Sequence, residues 1–175
     1  DQLARLRRIH LVAPRHPESF WSMQGTAELF GGEKEEYDAY RHDVNTVVEG
    51  TTAGYNELLR RARQDLSTTA NYLALAEYLD IASFADYMMV NHYAGNDDWD
   101  HHNWYAARNR VDPGRGFQFF VWDQEIVLDQ FSWNRYNNSG GICAIFQNLR
   151  ANEEFRVLFA DRAEGEAADG KGFSV

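Results

Sequence analysis

Between Asp80 and Asp123 the apolar residues change period, which restricts the chain to folds where a helix feeds a β-hairpin through a polar loop. Ile81, Phe84, Ala85 and Met88 recur at helical spacing behind Asp80, a good N-cap, and Gly95 is a natural stop. A polar stretch, Asn96 to Asn103, follows. Trp104–Arg108 and Phe117–Trp122 then read as short aromatic-rich strands. Asp112-Pro113-Gly114-Arg115-Gly116 between them supplies hairpin chemistry. The second strand returns toward the loop that the helix points into, so residues far apart in sequence converge there.

The flanks complete an α+β reading, mostly helical around a central β-hairpin. Tyr55, Leu58, Leu59, Ala62 and Leu66 predict one helix, with Arg60, Arg61 and Arg63 mainly on its other face. Thr68 to Leu79 predicts a second, through Tyr72, Leu75, Ala76 and Leu79. Residues 1–50 read as mixed and loop-rich, broken by Pro14 and Pro17, with a short helix from Phe20 to Phe30 stopped by Gly31-Gly32. Glu33 to Glu36 reads as a solvated turn, and Asn137 to Gly141 as a flexible loop. Asn152 is placed to cap a last helix buried through Phe155, Leu158 and Phe159, and residues 163–175 have the composition of a frayed tail.

Composition narrows the function classes. A length of 175 residues suits one domain, and 44% hydrophobic residues mark a globular chain. A net charge of −10 argues against nucleic-acid binding, which needs a basic footprint, and against docking to anionic membranes. No apolar run reaches the roughly 20 residues of a membrane span, so no membrane insertion is expected. Cys143 is the single cysteine and cannot form an internal disulfide.

The polar loop carries the chemistry. Asp98 and Asn103 have the Asp-x4-Asn spacing of a protein-kinase catalytic loop, where the Asp orients the attacking hydroxyl and the Asn holds a magnesium ion. Asp123, at the end of the second strand, occupies the order of the other metal-binding Asp. Phosphoryl transfer relies on metal ions held in fixed positions by hard oxygen ligands, which Asn and Asp supply. Simpler readings exist. Asp97, Asp98 and Asp100 could form a solvated capping turn. The alternation of Asn96, Asp98 and Asp100 imitates a calcium loop, but His101 and Ala107 stand where an EF-hand needs Gly and Glu. His101 and His102 point differently as neighbours and lack a Cys or His partner at zinc spacing. Trp99, Trp104, Tyr105 and Trp122 read as core or pocket walls.

The run Phe84 to Trp99, with Asn103-Trp104-Tyr105-Ala106-Ala107-Arg108 and Val121-Trp122-Asp123-Gln124-Glu125, resembles the central signature of the CotH kinase family. Phe30-Gly31-Gly32 through Asp38 and Gln147 through Arg156 resemble its flanks, so the similarity covers roughly residues 20–162. The resemblance implies the catalytic lobe of an atypical protein kinase, secreted or surface-associated, that uses ATP and Mg²⁺ or Mn²⁺ to phosphorylate Ser or Thr in a protein partner. Spore-coat proteins are the best-known substrates. Carried over by position, Asp98 is catalytic and Asn103 and Asp123 bind metal. Glu125 stands where family members commonly have a second Asp, and Asn96, Asp97 and Asp100 could give support. Two other classes stay open: a pseudokinase-like surface module used for adhesion, and a calcium-stabilised extracellular domain in which the acidic loop is structural.

A kinase also needs a glycine-rich phosphate-covering loop and a cation on the phosphates. Lys34 and Lys171 are the only lysines, and neither lies on a strand-like segment. The expectation is therefore that residues 1–162 form the catalytic region, that the nucleotide-binding lobe lies upstream, and that this piece alone is inactive. An arginine from the 60–63 cluster could substitute, though a solvated helix face suits that cluster better.

Overall fold

Local capping signals build the helices of the computed structural model, which describes residues 31–41, 47–97, 99–121, 124, 126–128 and 134–168, the backbone alone at 47–49 and 165–168. Helix α1 spans Ala53–Ala62 and α2 spans Thr69–Ala76, the latter capped by Thr68, whose side chain accepts from the Asn71 amide. Helix α3 spans Ile81–Ala94. Asp80 caps it by accepting the Ser83 amide at 3.0 Å, and Gly95 closes it in the left-handed region at φ +58°. Helix α4 spans Cys143–Leu149 and α5 spans Glu153–Ala168. Asn152 accepts the amides of Glu154 and Phe155 at the start of α5.

The sheet is larger than the expected hairpin. Four strands, β1 (Tyr37–Arg41), β2 (Val47–Glu49), β3 (Trp104–Asn109) and β4 (Gln118–Val121), lie in the order β2-β1-β3-β4, all antiparallel. The hairpin β3–β4 is thus one half of the sheet, and β1 runs along the full length of β3, from Tyr37 opposite Asn109 to Arg41 opposite Tyr105. This corrects the reading of residues 37–49 as loop-rich. Strand β1 carries no alternation because Tyr37, Asp38, Ala39 and Tyr40 are all buried. Asp38 is tolerated there because it accepts the Thr51 amide at 2.6 Å and pairs with Arg110 at 2.8 Å. Glu33 to Glu36 is an exposed turn, as expected, with a 3₁₀ segment at Lys34–Glu36.

The core is aromatic. Phe84 and Trp104 meet Phe119 at 5.2 and 5.5 Å between ring centres, Tyr55 meets Phe117 edge-on at 5.7 Å, and Tyr40 meets Tyr55 at 4.9 Å. Trp99, Trp104 and Tyr105 are buried, in line with their reading as core or wall. Helix α3 packs on β4 and α5, and Asp86 of α3 is paired with Arg162 of α5. The end of α2 pins the start of β4: Phe117 donates to the Tyr78 carbonyl at 2.6 Å, and Asp80 donates back to Phe117 at 3.0 Å. Gly116 makes this possible, since at φ +71° a Cβ there would sit 2.6 Å from the Leu79 nitrogen.

Two further segments differ from expectation. The stretch Asn137 to Gly141 is docked on the acidic loop: Asn138 donates to Asp100, and the Ile142 amide bonds the Asp100 carbonyl at 3.2 Å. Helix α5 continues through Ala168, into the segment whose small and acidic residues suggested fraying, because Ala and Glu are good helix formers. The helix expected at 20–30 and residues 169–175 lie outside the described residues, as do Asp98, Trp122, Asp123 and Glu125. No described helix is long and apolar enough to cross a membrane.

Candidate metal and phosphoryl-transfer site

Three described stretches meet where α3 ends. Gly95 turns the chain out of the helix, and Asn96, fully buried, donates its side-chain amide to Asn91 at 3.0 Å. From the far side, Gln124 donates to the same Asn91 oxygen at 3.1 Å. Backbone bonds join the stretches: Asp97 donates to Ile126 at 3.2 Å and Leu128 to Ala94 at 2.7 Å. The third stretch is the open end of the hairpin, where Trp104 pairs with Val121, so that Asn103 precedes one member of the last pair and the chain toward Gln124 follows the other. Asp97 is thus bonded directly to Ile126, and Asn96 shares the Asn91 oxygen with Gln124.

Asn103 is buried and held in the left-handed region at φ +61°, a conformation that Asn accepts more readily than most residues. It thus meets the aromatic sheet end with an amide side chain rather than an apolar one. Asn96 presents a second amide: its Oδ1 is buried and has no hydrogen-bond partner among the described residues. Both are neutral oxygen donors of the kind a hard cation accepts, which fits the oxygen-only ligand set expected for Mg²⁺. Among the described residues no three His, Cys, Asp or Glu side chains cluster as metal ligands.

The two described acids of the loop are held by protein partners. Asp97 is paired with Arg135. Asp100 is largely buried, with one oxygen 2.7 Å from the ring of His101 and the other accepting from Asn138 at 3.4 Å. Its main chain packs so closely on Gly141 that a Cβ there would fall 1.7 Å from the Asp100 carbonyl oxygen. Cys143 lies nearby, and burial, followed by the Asp100 charge, pushes its thiol up to about 12, so it is an inert packing residue.

Sequence reasoning missed the Asn91–Gln124 contact, since nothing local marks an amide whose partner is 33 positions away. It assigned His92 no role, and the structure buries that ring against Trp99, Tyr136 and Phe146 at 5.6, 5.4 and 5.1 Å. Arg60 and Arg61 both bond Glu57, which they pull down to about 2, and Arg61 also holds Glu77 at 2.6 Å and covers Tyr78. Arg60 lies on the solvated helix face, as expected, whereas Arg61 ties α1 to the end of α2. A cavity of about 290 Å³ opens at the other end of the hairpin, lined among others by Gly32, Arg108, Asn109 and Arg115. It is roughly 20 Å along β3 from Asn103.

Fold and site together define an α+β domain whose acidic, amide-rich loop lies beside the open end of an aromatic hairpin. The family model described as CotH kinase protein matches residues 21–169. The chain belongs to the CotH kinase family, a family of kinase-like proteins associated with the spore coat. No curated protein and no solved structure matches it.

Proposed function

We propose that this chain is the metal-binding and catalytic lobe of an atypical protein kinase, which moves the γ-phosphoryl group of ATP to a Ser or Thr hydroxyl of a secreted, spore-coat or surface protein. The observation that supports the reading is that Asn96 and Asp97 are joined to Gln124 and Ile126, while Trp104, next to Asn103, pairs with Val121. In this reading Asp98 orients the acceptor hydroxyl and takes its proton, while Asn103, Asp123 and Glu125 hold Mg²⁺ or Mn²⁺. The bound ions would neutralise charge on the phosphoryl oxygens. The roles given to Asp97 and Asp100 become structural, since Arg135 and the 138–142 segment engage them. These contacts support Asp98 as the acid of the triplet for catalysis.

The test uses the full-length protein. Melting is compared with Ca²⁺ alone, Mg²⁺ alone and Mg²⁺-ATP, and the kinase reading expects the largest shift from Mg²⁺-ATP. Asp123→Ala should abolish transfer and weaken metal binding, whereas Asp98→Ala should lower turnover and spare nucleotide binding. A protein that Ca²⁺ alone stabilises, with nothing added by ATP, is a structural calcium domain and not a kinase.

A further inference from the structure

We infer that Asn91 is a positioning residue of this site: its single amide oxygen clips the start of the acidic loop to the segment that leaves β4, and so sets the spacing of the acids carried by the two. The inference deepens the function proposed above and rests on it.

Asn91 lies in the penultimate turn of α3 and is buried. Its Nδ2 donates to the Tyr87 carbonyl at 2.9 Å, one turn back. A carbonyl can only accept, so this bond fixes which way the amide faces and turns Oδ1 toward the loop. That oxygen then receives two donors, Asn96 Nδ2 at 3.0 Å and Gln124 Nε2 at 3.1 Å. Asn96 stands two positions before Asp98, and Gln124 stands between Asp123 and Glu125. One atom therefore bonds both acid-bearing stretches, and the two backbone bonds from Asp97 and Leu128 run alongside it.

The choice of residue argues against simple packing. Asn is a poor helix former, and a buried amide must be fully bonded to be tolerated, whereas the other buried positions of α3 are apolar or aromatic. The clip also orients a neighbour. With Asn96 Nδ2 taken by Asn91, Asn96 Oδ1 is left buried without a partner among the described residues. An acceptor held that way suits a cation or a cation-bound water.

The experiment is a double-mutant cycle in the full-length protein with Asn91→Leu, Gln124→Met and the pair. Both replacements keep approximate size and remove the bond. Mn²⁺–ADP is titrated with protein, and water-proton relaxation reports the ternary complex, so no acceptor substrate is needed. Each single variant should bind Mn²⁺–ADP roughly tenfold more weakly, the usual scale for losing a group that orients metal ligands. The double variant should bind no worse than Asn91→Leu, because both changes break one clip. Melting without metal or nucleotide separates stability from positioning, and the half-buried Gln124 gives a variant that should remain folded even if Asn91→Leu does not. Unchanged affinity in a folded single variant, or effects that add in the double, overturns the inference while the kinase reading stands. Absence of any complex with the parent protein removes the site itself, and the inference with it.

Discussion

His92 gives the sharpest physical test of the model of packing around the loop. Neither ring nitrogen has a hydrogen-bond partner among the described residues, and the ring packs against Trp99, Tyr136 and Phe146. A histidine in the last turn of a helix would ordinarily be favoured as a cation by the helix dipole. Burial wins here, and the positive charge of Arg150 adds to it, so the imidazole is pulled down to about 4. In the unfolded chain it titrates near its ordinary value of about 6.5. The unfolded state therefore binds the extra proton first as pH falls. The stability contributed by neutral His92 is fully present above about pH 6.5 and drains away toward about pH 4. Between about pH 7 and about pH 5 the loss comes to about 2 kcal/mol, nearer 1 kcal/mol after discounting for the partial exposure of the ring. His92→Phe keeps an aromatic ring in the same place and has no proton to bind. Urea unfolding of both proteins at the two pH values gives the difference directly. The parent should lose about 1–2 kcal/mol more than the variant. Equal losses would show that the ring is solvated in the folded state, and would refute the packing argument.

Other changes read other parts of the structure. Gly116→Ala should cost about 2 kcal/mol or more in chemical denaturation, because φ +71° disfavours a side chain and the new Cβ would press on the Leu79 backbone. A neutral result would mean that the α2–β4 junction is looser than described. Arg110→Met strands the buried carboxylate of Asp38 and should cost about 3 kcal/mol; adding Asp38→Asn should return part of the loss, and failure to do so would show that lost packing dominates. Asn103→Gly should relax the backbone and Asn103→Ala strain it by about 1 kcal/mol, which melting temperatures would order. Both should lose Mn²⁺–ADP binding; a glycine variant that binds like the parent would remove Asn103 from the ligand set.

The parts of this fold that were legible in the sequence are those set by local chemistry. Asp80 and Asn152 cap helices, and Gly95 ends one, through bonds that close within a few residues. The hairpin declared itself through its Pro-Gly turn and aromatic flanks. Strand β1 did not, because Tyr-Asp-Ala-Tyr-Arg shows neither alternation nor β-branched residues, and what makes Asp38 acceptable is Arg110, 72 positions away. The site divides along the same line. Asp98 and Asn103 were candidates by spacing alone, and Asn103 is found buried at the hairpin's open end. Asn91 gave no signal, since a lone Asn on an apolar helix looks like a tolerated polar residue until its partner at 124 is in view.

Helix α3 is fastened to the outer strand and its continuation near both ends. At the entry, Asp80 caps the helix with one carboxylate oxygen and receives Gln118 of β4 at 3.0 Å with the other. Near the exit, Asn91 receives Gln124, just past the end of the same strand. A rod tied to a splint at two points can neither swivel nor slide alone, so local opening should release helix and strand as one unit. Amide exchange in α3 and β4 should share a single opening rate, and a substitution at the Asp80 end should be felt at the Asn91 end.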